Sequence, residues 1–309
     1  MFRTLLLSSS LWLFGSSAAQ NGPVFHWTLD EASGNVAHSV SGTADGVLHG
    51  ANWDPTEGHH QGSCRFDGVD DRILLGPCDL TNGAGAISLS AWVKPDFVTG
   101  MERTVIAKTI GNQTGDHIWS LSFVNASALR FRLRTAGTVK ELTTPTSSIF
   151  SGTWYHVVAS YDGMSMRIFL NGALMADLST SGSIGFHPQS PASIGALPTG
   201  ERPISAWIDD VRIYDRGLAQ AEVITILLQP ELITGTRMLP MIDPDHGLFR
   251  PPVGPWTEMH IRDAAGRSIT TRRIKGPNDA LDLGDMPAGL YLICLSGEGH
   301  RAAWPMVIP

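Results

Sequence analysis

At 309 residues, 42% hydrophobic and 17% charged, the chain has the composition of a folded protein with room for two domains, which excludes wholesale intrinsic disorder. A formal net charge of -7 excludes the Lys/Arg excess on which phosphate-backbone binding depends, so no nucleic-acid partner is expected.

In chain order, Arg3, the apolar stretch from Leu5 to Phe14 and the small residues Ser17-Ala18-Ala19 have the pattern of a signal peptide over 1–19, with a mature start at Gln20. No other stretch approaches the roughly 20 apolar residues of a membrane span, so no transmembrane anchor is expected. From Val24 to about Tyr214 the hydropathy alternates with period two, broken repeatedly by Gly, Asp, Asn and Pro, which predicts an antiparallel β-sandwich. Arg65 to Gly76, RFDGVDDRILLG, reads as a tight hairpin. Ile87, Leu89, Ala91 and Val93 alternate with Ser88, Ser90, Trp92 and Lys94, and Leu129, Phe131 and Leu133 alternate with Arg130, Arg132 and Arg134. Each strand therefore has one face for the core.

Trp154 to Asp177 predicts a meander of three strands, turning at Asp162-Gly163 and at Asn171-Gly172. Trp207 to Leu218, WIDDVRIYDRGL, predicts a long strand leading into a short helix over 218–228, which could close one end of the sandwich before Pro230 stops it. After a linker at 230–235, residues 236–309 predict a second, smaller β unit with turns at Ala265-Gly266 and Pro287-Ala288-Gly289. The fold class expected is all-β, a jelly-roll sandwich followed by a small Ig-like sandwich.

The three cysteines of an exported chain allow one disulfide. Cys64 and Cys78 flank the expected hairpin and either bridge or form two separately buried thiols; Cys294, in YLICLS, reads as a small core residue. A glycoside hydrolase would place two carboxylates around one bond, and no strand carries such a pair. Glu31, Glu57, Glu102, Glu141 and Glu201 are scattered, and Asp70-Asp71 falls in a turn whose adjacent side chains are expected to diverge. Neither a GxSxG elbow nor an HExxH helix is present. His26, His38, His49, His59 and His60 lack the spacing of a zinc site. Arg130, Arg132 and Arg134 put three cations on one strand face, either gripping acidic glycans or forming a solubilising outer surface. Trp53 and Trp207, near loops, are candidates for stacking on a sugar ring, or lids on the core.

The segments FHWTLDEASGN, ADGVLHG, RFDGVDDRILLG, ISLSAWVKP, TWYHVVASYDGMSMRIFLNG, ASIGA and WIDDVRIYDRGLAQAEV, in this order, resemble the LamG-like jelly-roll family within the concanavalin A-like lectin and glucanase superfold, over 20–229. The resemblance implies binding of a glycan or a surface protein, with an adhesion spacer or, less in keeping with the missing acid pair, an unconventional hydrolase as alternatives. It also implies a structural calcium near Asp209, to which the loop from Asp30 to Gly46 adds Asp30 and Asp45; His38 stands where the family usually has Asp. Asp209 and Asp210 have an alternative reading as strand-end hydrogen-bond acceptors.

Pro240 to Gly247, Asp263 to Arg267 and Leu281 to Leu295 resemble the opening, the Asp-x-x-Gly-Arg turn and the LxxLPAGxYxxxL element of a type IX secretion sorting domain, although WPMVIP replaces the usual basic end. That resemblance implies the type IX machinery as a partner and a secreted or cell-surface location in a Gram-negative bacterium.

Overall fold

The computed structural model describes residues 22–80, 85–96, 100–125, 127–146, 149–227, 241–243, 248–250, 257–263, 268–276, 279, 281–282, 286–287, 289–297 and 300–308. The signal-peptide and linker expectations lie outside the described residues, as does most of the opening of the C-terminal motif.

The larger unit begins with β1 (Phe25–Trp27), β2 (Val36–Ala37), β3 (Gly46–His49), β4 (Asn52–Asp54), β5 (Ser63–Asp67), β6 (Arg72–Leu75), β7 (Ile87–Pro95) and β8 (Arg103–Thr109). It continues with β9 (His117–Val124), β10 (Ala128–Thr135), β11 (Thr138–Thr143), β12 (Tyr155–Tyr161), β13 (Ser165–Leu170), β14 (Ala173–Ser179), β15 (Ala192–Ile194), β16 (Ser205–Tyr214) and one helix, α1 (Gln220–Leu227). The first sheet runs β14-β13-β12-β7-β16-β5-β4, with β1 also paired to β16; the second runs β11-β10-β9-β8-β15-β6-β3-β2. All the paired strands are antiparallel, the arrangement the period-two pattern demands when one face is dry and the other is not.

Between the sheets lies one continuous core. Ile87, Leu89, Ala91 and Val93 enter it from β7, Leu129, Phe131 and Leu133 from β10, and Trp119, Leu121 and Phe123 from β9. The meander of β12, β13 and β14 forms as its turn residues predict, with Asn171 and Gly172 both at positive φ.

Three expectations are corrected. RFDGVDDRILLG is not a hairpin: β5 pairs with β4 and β16 in the first sheet, whereas β6 pairs with β3 and β15 in the second. The turn between them carries the chain across the sandwich. Alternation cannot distinguish the two, because Cys64 and Phe66 enter the core from one side and Ile73 and Leu75 from the other. For the same reason Cys64 and Cys78 do not bridge; both are buried free thiols, Cys64 on β5 and Cys78 beyond the end of β6 in the other sheet, and burial pushes the Cys78 thiol up to about 12. The side chain of Cys294 lies outside the described residues. Finally, α1 does not plug an end of the sandwich. Its Val223 and Ile226, with Leu218, pack on Val158, Phe169 and Tyr214, forming a second small core on the outer surface of the first sheet.

The smaller unit has β17 (Met241–Asp243), β18 (Leu248–Arg250), β19 (Glu258–Asp263), β20 (Ser268–Arg273), β21 (Leu281–Asp282), β22 (Gly289–Gly297) and β23 (His300–Ile308), in sheets ordered β17-β18-β21 and β20-β19-β22-β23. Phe249, Met259, Ile261, Tyr291, Ile293 and Leu295 form its core, a small Ig-like sandwich. β23 spans nine residues and accommodates Pro305 on the sheet edge.

At Gly195 the backbone has φ of 89°, and a Cβ there would collide with the Phe66 ring. Gly195→Ala is therefore expected to lower the unfolding free energy by about 2–3 kcal/mol in denaturant titrations, from backbone strain and overpacking together.

Candidate functional site

Two surfaces carry polar chemistry, one on the outside of each sheet. On the second sheet, Arg132 of β10 lies between Ser120 of β9 and Glu141 of β11. Its Nε donates to Glu141 Oε1 at 2.6 Å and its Nη1 to Glu102 Oε1. Arg130 is 3.6 Å from Glu102 and 3.7 Å from Glu141, and Arg202 adds a third cation 3.2 Å from Glu102. Arg202 Nη1 also meets His117 Nε2 at 3.0 Å. The third stripe residue, Arg134, donates to the Gly115 carbonyl. The strand does align the three arginines on one outer face, and long-range pairing supplies their acceptors.

Charge follows from this packing. Burial pushes the Glu102 carboxyl up, but hydrogen bonding and charge from Arg132, with Arg202 and Arg130, outweigh it and hold Glu102 below the usual carboxylate range. Burial and the neighbouring Arg132 and Arg202 push His117 down to about 4, leaving a neutral imidazole. A glycosidase acid needs the opposite shift, a carboxyl kept protonated, and Glu102 does not have it. Beneath the ion pairs, Ser120 Oγ, Ser122 Oγ, Thr104 Oγ1 and His117 Nδ1 are buried without a protein partner.

The first sheet presents Lys94, Trp92, Ser90, His156 and Trp207 outward, and the loop between β4 and β5 folds over them. His59 stacks on Trp92 at 3.3 Å between ring centres, and His60 packs edge-on against His59 at 4.3 Å. His156 donates or accepts at Ser90 Oγ, 2.8 Å away. Lys94 pairs with Glu57 of the loop and lies 4.1 Å from the Trp207 ring centre, where Arg65 also stacks at 4.2 Å. Trp207 Nε1 donates to Asp54 at 2.9 Å, so this ring is engaged by two cations and a carboxylate. Trp53, the other candidate platform, donates to the Gly34 carbonyl and packs against the core. Burial pushes both His59 and His156 down to about 3, with neighbouring positive charge adding to the effect. Their convergence with Trp92 had no local signal, since the histidines come from a loop and from β12 far apart in sequence.

The expected calcium ligands lie at the end of this surface. Asp209 and Asp210 occupy the point on β16 where its partner changes from β5 to β1, and the register with β7 shifts there. Asp209 Oδ2 accepts from His60 N at 2.8 Å; its Oδ1 is buried without a partner. Burial, with Asp210 and Asp30 nearby, pushes this carboxyl up to about 8. Asp210 accepts from His26 Nε2 at 2.6 Å and from Arg212 Nε at 3.0 Å and Nη2 at 2.8 Å. Asp30 accepts from Gly62 N at 3.0 Å and from Thr28. Asp45 is committed to Ser39 N at 2.8 Å and to His38 at 3.2 Å. The structure thus brings Asp30 and Asp209 near each other, while Asp45 is held by Ser39 and His38; a hard cation takes six to eight oxygens, and most of these carboxylate oxygens accept from protein donors. Among the described residues, the group of three whose ligand atoms all lie within 4.8 Å of one another is Asp67, Asp70 and Asp71, which can chelate a cation such as calcium. Here adjacent side chains converge, contrary to expectation, because Asp71 turns inward to accept from Asp67 N at 2.8 Å.

With this geometry in place, the family comparison is decisive. The model of the concanavalin A-like lectin/glucanases superfamily matches residues 67–224, just over half of the chain. The chain belongs to this superfamily. Among solved structures, Trypanosoma rangeli sialidase in complex with 2,3-difluorosialic acid is 19% identical with a TM-score of 0.51, covering 67% of this chain and 32% of the sialidase. The receptor binding domain of botulinum neurotoxin mosaic serotype C/D is 13% identical with a TM-score of 0.51, covering 91% of this chain and 72% of that one. At such identities the likeness is of fold alone. The superfamily member described here spans about a third of the sialidase chain. No curated protein matches it in sequence. Among the described residues no helix is long and apolar enough to cross a membrane.

Stability should depend on pH in two opposed ways. Asp209 binds its proton more tightly folded than unfolded, so its contribution is full below about pH 4 and is lost as pH rises through about 8. His59 and His156 bind protons less tightly when folded, so theirs is present above about pH 6.5 and is lost as pH falls toward about 3. Denaturant titrations from pH 5 to 9 should peak near about pH 6.5. Asp209→Asn, which mimics the protonated acid, should flatten the alkaline limb, and an unaltered limb would contradict the assignment.

Proposed function

We propose that this protein is a non-catalytic binding module that takes neutral saccharides on the outer face of its second sheet. The observation that carries the reading is the charge-compensated layer of Arg130, Arg132, Glu102 and Glu141, with Arg202 and His117 at its side. Guanidinium and carboxylate groups fixed by one another present directed donors and acceptors to sugar hydroxyls without a net field that would select a polyanion. The lectin-type fold and the ionised state of Glu102 support binding over hydrolysis. In this reading Trp53 and Trp207 brace loops rather than stack on sugar, and export through the type IX machinery rests on the C-terminal motif alone.

The test is a glycan array with the full-length protein, including neutral and acidic saccharides. Saturable binding to a neutral saccharide, weakened about tenfold by Glu141→Gln, is the expected result, since a hydrogen bond to a charged group contributes about 1.5–3 kcal/mol. No saturable binding to any saccharide would favour an adhesion spacer, and binding confined to acidic saccharides would return the arginines to the role of free cations.

A further inference from the structure

We infer that the larger unit replaces a structural cation with its own donors at the Asp30–Asp209–Asp210 cluster, so that its folding does not depend on calcium. Three carboxylates from two distant parts of the chain meet here, an arrangement that ordinarily invites a divalent ion, because buried carboxylates need compensating charge. In this chain the compensation is already in place. Arg212 brings a guanidinium onto both oxygens of Asp210, and His26 brings a ring nitrogen onto one of them. The loop between β4 and β5 supplies two main-chain N–H groups, His60 N to Asp209 and Gly62 N to Asp30. Asp45 and the residue at 38, where the resemblance offers a further carboxylate, instead hold each other as a His38–Asp45 pair.

Among the described residues, the buried oxygen of these three carboxylates without a protein partner is Asp209 Oδ1; Glu31 Oε2, next to Asp30 in the chain, is also buried without one. Such open oxygens fall well short of the six to eight that calcium takes in water and in protein sites. The raised pKa of Asp209 agrees with this: a proton neutralises the remaining carboxylate. The compensating groups also do structural work, since His26 belongs to β1, Arg212 to β16 and His60 to the loop that covers Trp92. The donors that occupy the cation's place thus tie together the segments that a cation would have tied.

The test is the thermal midpoint of the full-length protein in chelator and in millimolar calcium, for wild type and for His26→Ala, Asp209→Asn and Asp70→Asn. The wild-type midpoint is expected to be the same in both buffers. His26→Ala, which removes one of the two donors on Asp210 Oδ1 and leaves Arg212 Nε on it, is expected to melt lower and to gain about 3–5 °C from calcium as the cluster loses part of its own compensation. A wild-type response as large as that of His26→Ala, and abolished by Asp209→Asn, would overturn the inference. A wild-type response that survives Asp209→Asn but is lost in Asp70→Asn belongs to the Asp67, Asp70 and Asp71 group, in which Asp71 is buried, and would overturn the independence from calcium while leaving the Asp30–Asp209–Asp210 cluster without a cation.

Discussion

The burial of two adjacent carboxylates in the middle of β16 is the constraint around which the larger unit is organised. One edge of this strand is shared, by β5 from Ser205 to Ile208 and by β1 from Val211 to Ile213, and Asp209 and Asp210 fall at the hand-over. The irregularity re-aims both side chains away from the core, which Ile208, Val211 and Ile213 continue to fill. Ionised carboxylates out of water are penalised by several kcal/mol each, so their neighbours must answer them. His26, Arg212, the loop N–H groups and a proton do so, and each answer joins a different segment to the last strand.

The two outer surfaces solve the same electrostatic problem differently. On the first sheet, charge is suppressed: histidines are kept neutral under aromatic cover, Asp209 holds its proton, and Lys94 is sandwiched among Glu57 and indoles. Together with α1 over Val158 and Tyr214, this makes a braced, largely closed face. On the second sheet, charge is retained and balanced, arginine against glutamate, above hydroxyls that have no protein partner. A balanced polar layer offers directed donors and acceptors to hydroxyl groups, and the proposed binding is therefore placed on that side.

Period-two hydropathy made the sandwich, the inward-facing rows and the meander legible, because a one-residue slip would invert every strand. It left the sheet assignment of β5 and β6 unreadable: a hairpin and a crossover bury the same alternate residues. The arginine stripe was legible as a stripe, and its partner Glu141 follows from counting outwards from the turn at Ala136-Gly137, both at positive φ. Glu102 and Arg202 reach the same guanidinium layer from remote segments and leave no local signal. The acidic residues near Asp209 were legible as a group, but not all the donors that occupy them: Arg212 is two residues from Asp210, whereas His26 and the loop residues His60 and Gly62 come from remote segments and leave no local signal.

The most direct test is the titration of the Asp209 carboxyl itself, followed by carbon-detected NMR with an Asp209→Asn reference to assign the signal. A carboxyl that keeps its proton until about pH 8, with the midpoint unmoved by calcium, is the result this arrangement predicts. An Asp209 ionised at pH 6, or one whose midpoint falls sharply when calcium is added, would contradict it.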